Sequence, residues 1–245
     1  SNRNSYSCSR RKKCTPCIRI TIQSGRSRTS RCDQIRWSCR YTIHKGNALI
    51  AILDYGSGNL RSALRAFETT GKKVFLTSDP DSAANADALV VPGVGAFGSC
   101  MSGLLSVNGD EIIKSRFAKG KPTLGICVGM QILFEKGVEH GTSAGIGIVK
   151  GIVEKLDAPI LPHIGWNTVR IEGASKLFKG IERDSFYFVH SYGVKSSAGT
   201  ARAYTDYDGE FLSAFEDQSI SATQFHPEKS GATGLKLISN WVNSL

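Results

Sequence analysis

The sequence predicts an α/β fold with a mostly parallel central sheet flanked by helices, and with antiparallel strands in its C-terminal part. Two observations lead to this prediction. Between residues 49 and 136, continuous apolar runs alternate with segments of helical spacing, which is typical of a doubly wound parallel sheet. From about residue 143, short β-rich runs separated by turn residues replace that pattern, which favours antiparallel pairing.

The first 47 residues differ from the rest of the chain in composition. They hold 12 of the 31 Lys and Arg residues and one acid, Asp33, so their net charge is +11, whereas residues 48–245 carry 19 basic and 20 acidic residues. The overall charge of +10 therefore gives no reason to expect that residues 48–245 bind nucleic acid. We expect residues 1–47 to be a disordered extension rich in Ser, Arg and Cys. We interpret it as an artefact such as an added tail, as translation upstream of the true start, or as a transit-like segment, and we place one globular domain at residues 48–245.

The cysteines follow the same division. Five of the seven fall in the first 47 residues, namely Cys8, Cys14, Cys17, Cys32 and Cys39. Cys14 and Cys17 have CxxC spacing, but no second closely spaced pair follows, so we expect no zinc site. Only Cys100 and Cys127 lie beyond, which favours a reduced compartment: the cytoplasm, or an organelle if residues 1–47 are a transit peptide. No apolar run approaches the roughly 18 residues that a membrane span requires.

The N-terminal half supplies the predicted parallel strands. The first strand is the apolar run 49–53, followed by a loop in which Asn59 caps a helix that ends at Gly71. Gly56 and Gly58 suggest a dinucleotide fingerprint, but Arg61 occupies the third glycine position and excludes it. Further strands at 74–76 and 88–91 are followed by a glycine-rich loop at 92–97 and by helices at 97–105 and 110–118. Glycines at the end of a strand allow backbone N–H groups to face a ligand.

The most informative segment runs from Pro122 to Gln131. An apolar strand at 123–126 leads into Gly125-Ile126-Cys127-Val128-Gly129, which has the form of a nucleophile elbow. A helix is expected to continue from Met130 to Phe134, which places Cys127 at its N-terminus, where the helix dipole favours a thiolate. A buried structural cysteine is the alternative interpretation of this segment alone.

A second segment near the C-terminus favours the nucleophile. In Gln224-Phe225-His226-Pro227-Glu228, the His and Glu are two residues apart and share one face of an extended segment. A Cys–His pair with a carboxylate that orients the imidazole is the general form of an activated thiol. The run before it, with strands at 204–207, 212–216 and 220–225, predicts an antiparallel meander that delivers His226. A final helix, with Ser230 as a candidate cap, has an apolar face formed by Leu235, Ile238, Trp241, Val242 and Leu245.

The elbow together with His-Pro-Glu resembles the class I (triad) glutamine amidotransferases over residues 48–245. The resemblance implies that this domain hydrolyses glutamine through Cys127, His226 and Glu228 as catalytic residues. It implies that the backbone N–H groups of Val94 and Gly95 form the oxyanion hole. No cofactor or metal is implied, because the nucleophile, the base and the oxyanion hole complete the site.

The resemblance also implies a binding site for the substrate glutamine. Gln131 lies one helical turn after the nucleophile, and the family uses this residue to contact glutamine. Glu135 lies one turn further on the expected helix and is a weaker candidate from its position. The family uses the end of the strand 186–192 to bind the α-amino and carboxylate groups of glutamine, which implies Ser191 and Tyr192 here.

Two further segments resemble the branch of this family that serves imidazole glycerol phosphate formation in histidine biosynthesis. They are residues 54–59 and 162–167. The resemblance implies a heterodimer partner that receives ammonia, namely a (β/α)8-barrel cyclase subunit, with Asn59, Trp166 and Lys229 as interface candidates. The alternatives are a glutaminase subunit for anthranilate or pyridoxal phosphate synthesis and, less favoured, a non-catalytic scaffolding relative.

Overall fold

A computed structural model describes residues 48–197 and 199–245. The expectations of disorder, of no zinc site and of a transit-like or artefactual origin for residues 1–47 lie outside the described residues. None of the helices in the described ranges is long and apolar enough to cross a membrane.

The described residues form the following strands and helices. The strands are β1 (Leu49–Leu53), β2 (Lys73–Thr77), β3 (Ala88–Gly93), β4 (Thr123–Cys127), β5 (Lys136–Gly137), β6 (Ser143–Ala144), β7 (Ile152–Lys155), β8 (His163–Thr168), β9 (Arg170–Gly173), β10 (Ser185–His190), β11 (Tyr192–Gly193), β12 (Ala201–Asp206), β13 (Glu210–Asp217) and β14 (Ile220–Thr223). The helices are α1 (Leu60–Glu68), α2 (Pro80–Asn85), α3 (Phe97–Ser106), α4 (Gly109–Ala118), α5 (Val128–Gln131) and α6 (Gly231–Asn243), with a turn of 3-10 helix at Pro227–Lys229.

The central sheet has the strand order β2-β1-β3-β4-β14-β13-β12-β9. Its first five strands run parallel to one another, and β13, β12 and β9 each pair antiparallel with their neighbours. Strands β1, β3 and β4 are almost completely buried, as expected for parallel strands with helices on both faces. The predicted fold class, a mostly parallel sheet with antiparallel strands in the C-terminal part, is confirmed.

Two smaller sheets lie outside the central one. β8 pairs with β10 in an antiparallel ribbon that begins with His163 opposite His190, and β11, β7, β5 and β6 form a four-stranded sheet. In the segment predicted to be an antiparallel meander, the turns before and after β13 contain Asp208 and Gln218, at φ angles of 52° and 50°.

Some local predictions need correction. Helix α2 was not predicted, because its sequence lacks apolar periodicity, although Asp79 accepts a capping hydrogen bond from Ser82 and Pro80 opens the helix. Ser230 is at the N-cap position of α6, but its hydroxyl makes no capping bond; it donates to the carbonyl of His226. The buried face of α6 includes Leu237, while Leu235 and Leu245 are exposed.

The strand order of the central sheet brings three loops close together. β4 lies between β3 and β14, with Gly93 opposite Cys127 and Thr223 opposite Ile126. The segments that follow these three strands therefore emerge side by side at the carboxyl edge of the sheet. This is the edge at which open α/β sheets place their ligands.

Candidate active site

The turn from β4 into α5 holds Cys127 in a strained backbone conformation. Its φ is 56° and its ψ is −114°, outside the usual regions for a residue with a side chain. The turn is tight, because a Cβ atom on Gly129 would lie 1.8 Å from the carbonyl oxygen of Val91, and one on Gly125 would lie 2.6 Å from that of Gly129. Only glycine fits at these two positions, so the elbow predicted from the sequence is confirmed as a structure.

His226 follows β14 and faces the same edge as Cys127. Its Nδ1 donates a hydrogen bond of 2.8 Å to Oε1 of Glu228, and both side chains are buried, at 2% and 4% exposure. Its backbone N–H donates to the carbonyl of Tyr187, which fixes the loop after β14 against β10. The imidazole is thus held by its Nδ1 side, which leaves Nε2 for chemistry.

The electrostatic setting of His226 favours the protonated ring. Burial lowers the pKa of His226, but the Cys127 sulfur and the Glu228 carboxylate raise it, so that it ends above the ordinary value for histidine. Among the described residues, Nε2 has no hydrogen-bond partner in ordinary geometry, and neither does Oε2 of Glu228. A positively charged imidazole beside a sulfur is the arrangement that activates a thiol.

A cavity of about 620 Å³ opens over Cys127 and His226. Among the residues proposed from the sequence, those that line it are Asn59, Val94, Gly95, Cys127, Gln131, Ser191, Tyr192, His226 and Lys229. Glu228 lies behind His226, as its hydrogen bond requires. The remaining lining residues, which the sequence did not single out for this site, include Gly58, Val128, Glu139, Val189 and His190.

The loop after β3 forms one wall of the cavity. Gly95 has a φ of 97°, and Val94 is 42% exposed. The Val94 N–H donates to the Ser57 hydroxyl at 3.1 Å, and that hydroxyl donates to the Val94 carbonyl at 2.8 Å. One of the two N–H groups expected to form an oxyanion hole is therefore engaged with a side chain in this structure.

Gln131 lies at the end of α5, below the cavity. Its Nε2 donates to the Tyr192 carbonyl at 2.8 Å and to Oε1 of Gln224 at 3.0 Å. Both hydrogens of the amide nitrogen are used by these contacts, so only Oε1 remains to contact a ligand. A carbonyl oxygen accepts hydrogen bonds, and this matches an ammonium group better than a carboxylate.

The structure does not bring Glu135 to the cavity. Helix α5 ends at Gln131, because the carbonyls that a longer helix would use are taken by another segment: Ile132 accepts from Ile146 N–H and Glu135 accepts from Gly145 N–H, both at 2.8 Å. The exposed Glu135 side chain accepts from Gly151 N–H at 3.0 Å instead. The helical face that suggested Glu135 does not exist, so the prediction is corrected.

His190 lies at the cavity wall, where its environment keeps it neutral. Burial lowers the pKa of His190 to about 3, and burial also lowers the pKa of its neighbour His163. The Tyr192 carbonyl can only accept a hydrogen bond, so Nδ1 of His190 donates to it, at 3.0 Å. Nε2 of the neutral ring then carries no proton and accepts from Nδ1 of His163 at 3.3 Å. The ring is therefore neutral and both of its nitrogens are engaged in hydrogen bonds, so it is not free to accept a proton from a ligand in the cavity.

Glu139 lies at the cavity, and Trp166 lies outside it. Glu139 lines the cavity and accepts from the Phe97 N–H at the start of α3, at 2.8 Å; nothing in its sequence context marked it. Trp166, an interface candidate, does not line the cavity. It is 58% exposed on β8, where its ring packs edge-on against Tyr187.

The comparisons with known proteins agree with this geometry. The family model of class I glutamine amidotransferases matches residues 51–244. The curated relatives include the imidazole glycerol phosphate synthase subunit HisH of Nocardia farcinica, 53% identical over 206 residues, which span 80% of this chain and 98% of that protein. The HisH subunits of Corynebacterium diphtheriae and Mycobacterium tuberculosis are 53% and 52% identical, with 99% and 98% of their lengths covered.

Solved structures show the same fold at low sequence identity. A crystal structure of a glutamine amidotransferase is 16% identical with a TM-score of 0.63, and covers 79% of this chain and 97% of that one. The structure of PurLQS from Thermotoga maritima is 19% identical with a TM-score of 0.60, and covers 81% and 99%. Since the family model spans most of the chain and the curated relatives are matched over nearly their whole length, this chain belongs to the class I glutamine amidotransferases.

Proposed function

We propose that this chain is the glutaminase subunit of an imidazole glycerol phosphate synthase and hydrolyses glutamine to glutamate and ammonia. The observation that carries the proposal is one arrangement of three residues at the cavity. Cys127 occupies the elbow, His226 faces it with Nε2 uncommitted, and Glu228 holds the opposite side of the imidazole. The identity to HisH subunits, above 50% over almost their full length, supports the assignment to this synthase.

The first half of the reaction forms a thioester. The Cys127 thiolate attacks the side-chain amide carbon of glutamine, and the carbonyl π electrons move to the oxygen. The His226 imidazolium gives its Nε2 proton to the amide nitrogen as the C–N bond breaks, so ammonia leaves. Glu228 keeps the proton on Nδ1 and stabilises the charged ring.

The second half returns the enzyme to its starting state. His226, now neutral, accepts a proton from water at Nε2 while the oxygen of that water attacks the thioester carbon. The C–S bond breaks, glutamate leaves, and a thiolate beside an imidazolium is restored. The same histidine thus acts first as an acid and then as a base.

The oxyanion that forms in both halves needs donors from the loop after β3. Val94 and Gly95 line the cavity and are proposed to supply these N–H donors, and such donors usually provide the largest single contribution to catalysis. The Val94 N–H has to leave the Ser57 hydroxyl before it can serve. We therefore propose that the structure is a resting arrangement and that binding of the partner frees this loop.

Substrate glutamine is held from the opposite wall. Ser191 and Tyr192 follow β10 and line the cavity, and these two residues are proposed to bind the α-amino and carboxylate groups, partly through backbone. Gln131 contributes its Oε1 as an acceptor for the α-ammonium group, since its amide nitrogen is already engaged.

The partner is proposed to be the (β/α)8-barrel cyclase subunit, which forms a heterodimer with this chain and receives the ammonia directly. Free ammonia would mostly be protonated at neutral pH and lose its nucleophilicity. Asn59 and Lys229 line the cavity and are exposed, which suits a surface that covers the outlet. Ile164 and Trp166 add exposed apolar area on one face of β8, at 59% and 58% exposure.

The test is release of glutamate from glutamine by the full chain, measured with and without a purified cyclase subunit of the histidine pathway and its ligand. Strong stimulation by that subunit is expected. Cys127→Ala should abolish glutamine-dependent activity of the complex while leaving synthesis from added ammonia intact. A glutaminase rate that does not change when the cyclase is added would assign the chain to another synthase. Glutaminase activity in the alanine variant would show that Cys127 is not the nucleophile.

A further inference from the structure

A continuous chain of buried hydrogen bonds joins the wall at residues 190–192 to the elbow. The Tyr192 carbonyl accepts from Nε2 of Gln131, and the same nitrogen donates to Oε1 of Gln224. The Nε2 of Gln224 lies 3.7 Å from the Cys127 sulfur, within reach of a hydrogen bond to sulfur. Gln224 is 1% exposed and Gln131 is 3% exposed, so water does not compete for these groups.

The direction of each bond follows from the backbone carbonyl at its start. The Tyr192 carbonyl has no proton, so the Gln131 group beside it must be the NH₂. The group of Gln224 that faces this NH₂ must then be its oxygen, which leaves its own NH₂ facing Cys127. The hydrogen-bond partners of Gln224 therefore determine which end of its amide is the oxygen and which is the NH₂.

A donor in this position acts differently on the two forms of the cysteine. A neutral thiol is a weak acceptor, whereas a thiolate accepts charge-assisted hydrogen bonds that are roughly twice as strong. A thioester sulfur is again a weak acceptor. The contact therefore stabilises the sulfur when it is an anion: before attack, and when it leaves in the second half of the reaction.

We propose that Gln224 is a further catalytic residue, whose amide N–H stabilises the Cys127 thiolate and whose orientation is fixed by Gln131 and the Tyr192 carbonyl. The inference rests on the proposed function, because it assumes that the Cys127 sulfur is the reacting atom. It adds a residue outside the Cys127–His226–Glu228 arrangement. It also gives Gln131 a second task, since Gln131 orients Gln224 as well as facing the cavity.

The test measures how readily Cys127 is alkylated by iodoacetamide as a function of pH in the full chain. The chain has 7 cysteines, so the peptide that contains Cys127 is followed by mass spectrometry. Gln224→Met removes the donor at similar volume. Gln224→Glu keeps an acceptor for Gln131 and replaces the donor by a carboxylate. Turnover is not required, so the result does not depend on partner or substrate.

We expect the midpoint of the alkylation profile to move to higher pH in both variants, and further in Gln224→Glu because its carboxylate repels the thiolate. For Gln224→Met, the loss of one hydrogen bond to a charged group corresponds to about a ten-fold lower alkylation rate below the midpoint. Rates at high pH should be unchanged or higher, because a less stabilised thiolate is the stronger nucleophile.

Gln218→Met is the matched control, since Gln218 is exposed in the turn between β13 and β14. It should reproduce the wild-type profile. A residue that only packs the core would lower the melting temperature without moving the midpoint, so thermal unfolding is measured alongside. Profiles of Gln224→Met and Gln224→Glu that coincide with the wild type would overturn the proposal. Glutaminase turnover by Cys127→Ala would instead contradict the proposed nucleophile, so the two failures are distinguishable.

Discussion

The Ser57 hydroxyl is hydrogen-bonded to both the N–H and the carbonyl of Val94. The Val94 N–H donates to the Ser57 hydroxyl at 3.1 Å, and the hydroxyl donates back to the Val94 carbonyl at 2.8 Å. Cys100 adds to the cluster, with its sulfur 3.1 Å from the same hydroxyl and 3.4 Å from the Val94 carbonyl. The loop that should donate to an oxyanion is thus tied to the loop after β1.

Removal of this tie should raise the partner-independent activity. In Ser57→Ala, the Val94 N–H has no side-chain acceptor, so it is free to donate into the cavity. We expect the basal glutaminase rate of the chain without a cyclase subunit to rise several-fold, since one oxyanion donor is worth about 10²–10³ in kcat when fully used. Ser102→Ala, an exposed serine of α3, is the control. A basal rate equal to or below that of the wild type would show that Ser57 does not restrain the loop.

Glu228→Gln should inactivate the site while the fold persists. Glutamine at this position presents an NH₂ as readily as an oxygen to Nδ1 of His226, which favours the wrong tautomer and withdraws the negative charge that supports the imidazolium. We expect kcat for glutamine hydrolysis to fall by about 10²–10⁴-fold. Synthesis from added ammonia by the complex should persist. Glu111→Gln, on the exposed face of α4, should retain full activity. A fall of less than five-fold in Glu228→Gln would argue against this role.

The sequence predicted the parallel half of the fold because its strands are continuous apolar runs. It also predicted the elbow, because two glycines flank Cys127 at positions where the structure has no room for a Cβ atom. It failed at Glu135, because helical spacing shows no sign that α5 ends after one turn. The sequence did contain one sign that the helix ends early, namely three consecutive apolar residues at 132–134, all of which are buried. One face of a surface helix cannot bury three consecutive residues.

The hydrogen-bonded chain to Cys127 could not be predicted from the sequence. Gln131 is hydrogen-bonded to Tyr192 and Gln224, which lie 61 and 93 positions further along the chain. No local sequence pattern contains these pairings. Gln224 stands beside the recognised His226 segment, yet only the order of β4 and β14 in the sheet brings its amide to the sulfur. Likewise, the Ser57–Val94 pair depends on β1 and β3 being neighbours.

The buried histidine pair should make the fold sensitive to acid. His163 and His190 have pKa values lowered by burial, that of His190 to about 3, so in the folded state they stay neutral where the unfolded chain takes up protons. The unfolded state binds more protons below the ordinary histidine pKa of about 6.5, so the free energy of unfolding should fall as the pH drops from 7 towards 4. Each such histidine contributes up to about 1.4 kcal/mol per pH unit.

Urea unfolding at a series of pH values measures this effect. His163→Phe should be less stable at pH 7, because Nε2 of His190 loses its donor, but its stability should fall less steeply with acid. His140→Gln, whose side chain is exposed, is the control and should keep the wild-type slope. An unchanged slope in His163→Phe would show that the pair does not set the acid sensitivity.

Arg116→Met should destabilise the fold without changing the chemistry. Arg116 is 1% exposed, and its guanidinium donates to the carbonyls of Ala83, Ala86 and Pro122 at 3.1, 2.8 and 2.8 Å. Burial lowers the pKa of Arg116 to about 10, so the group remains charged at neutral pH. Its removal takes this donor from all three buried carbonyls, of which the Pro122 carbonyl keeps the Leu89 N–H, and we expect a loss of about 3 kcal/mol in urea unfolding. Arg116 lies at the amino ends of β3 and β4, opposite the cavity, so kcat of the folded variant should match that of the wild type. Exposed Arg61→Met is the control, and a loss below about 1 kcal/mol in Arg116→Met would contradict this expectation.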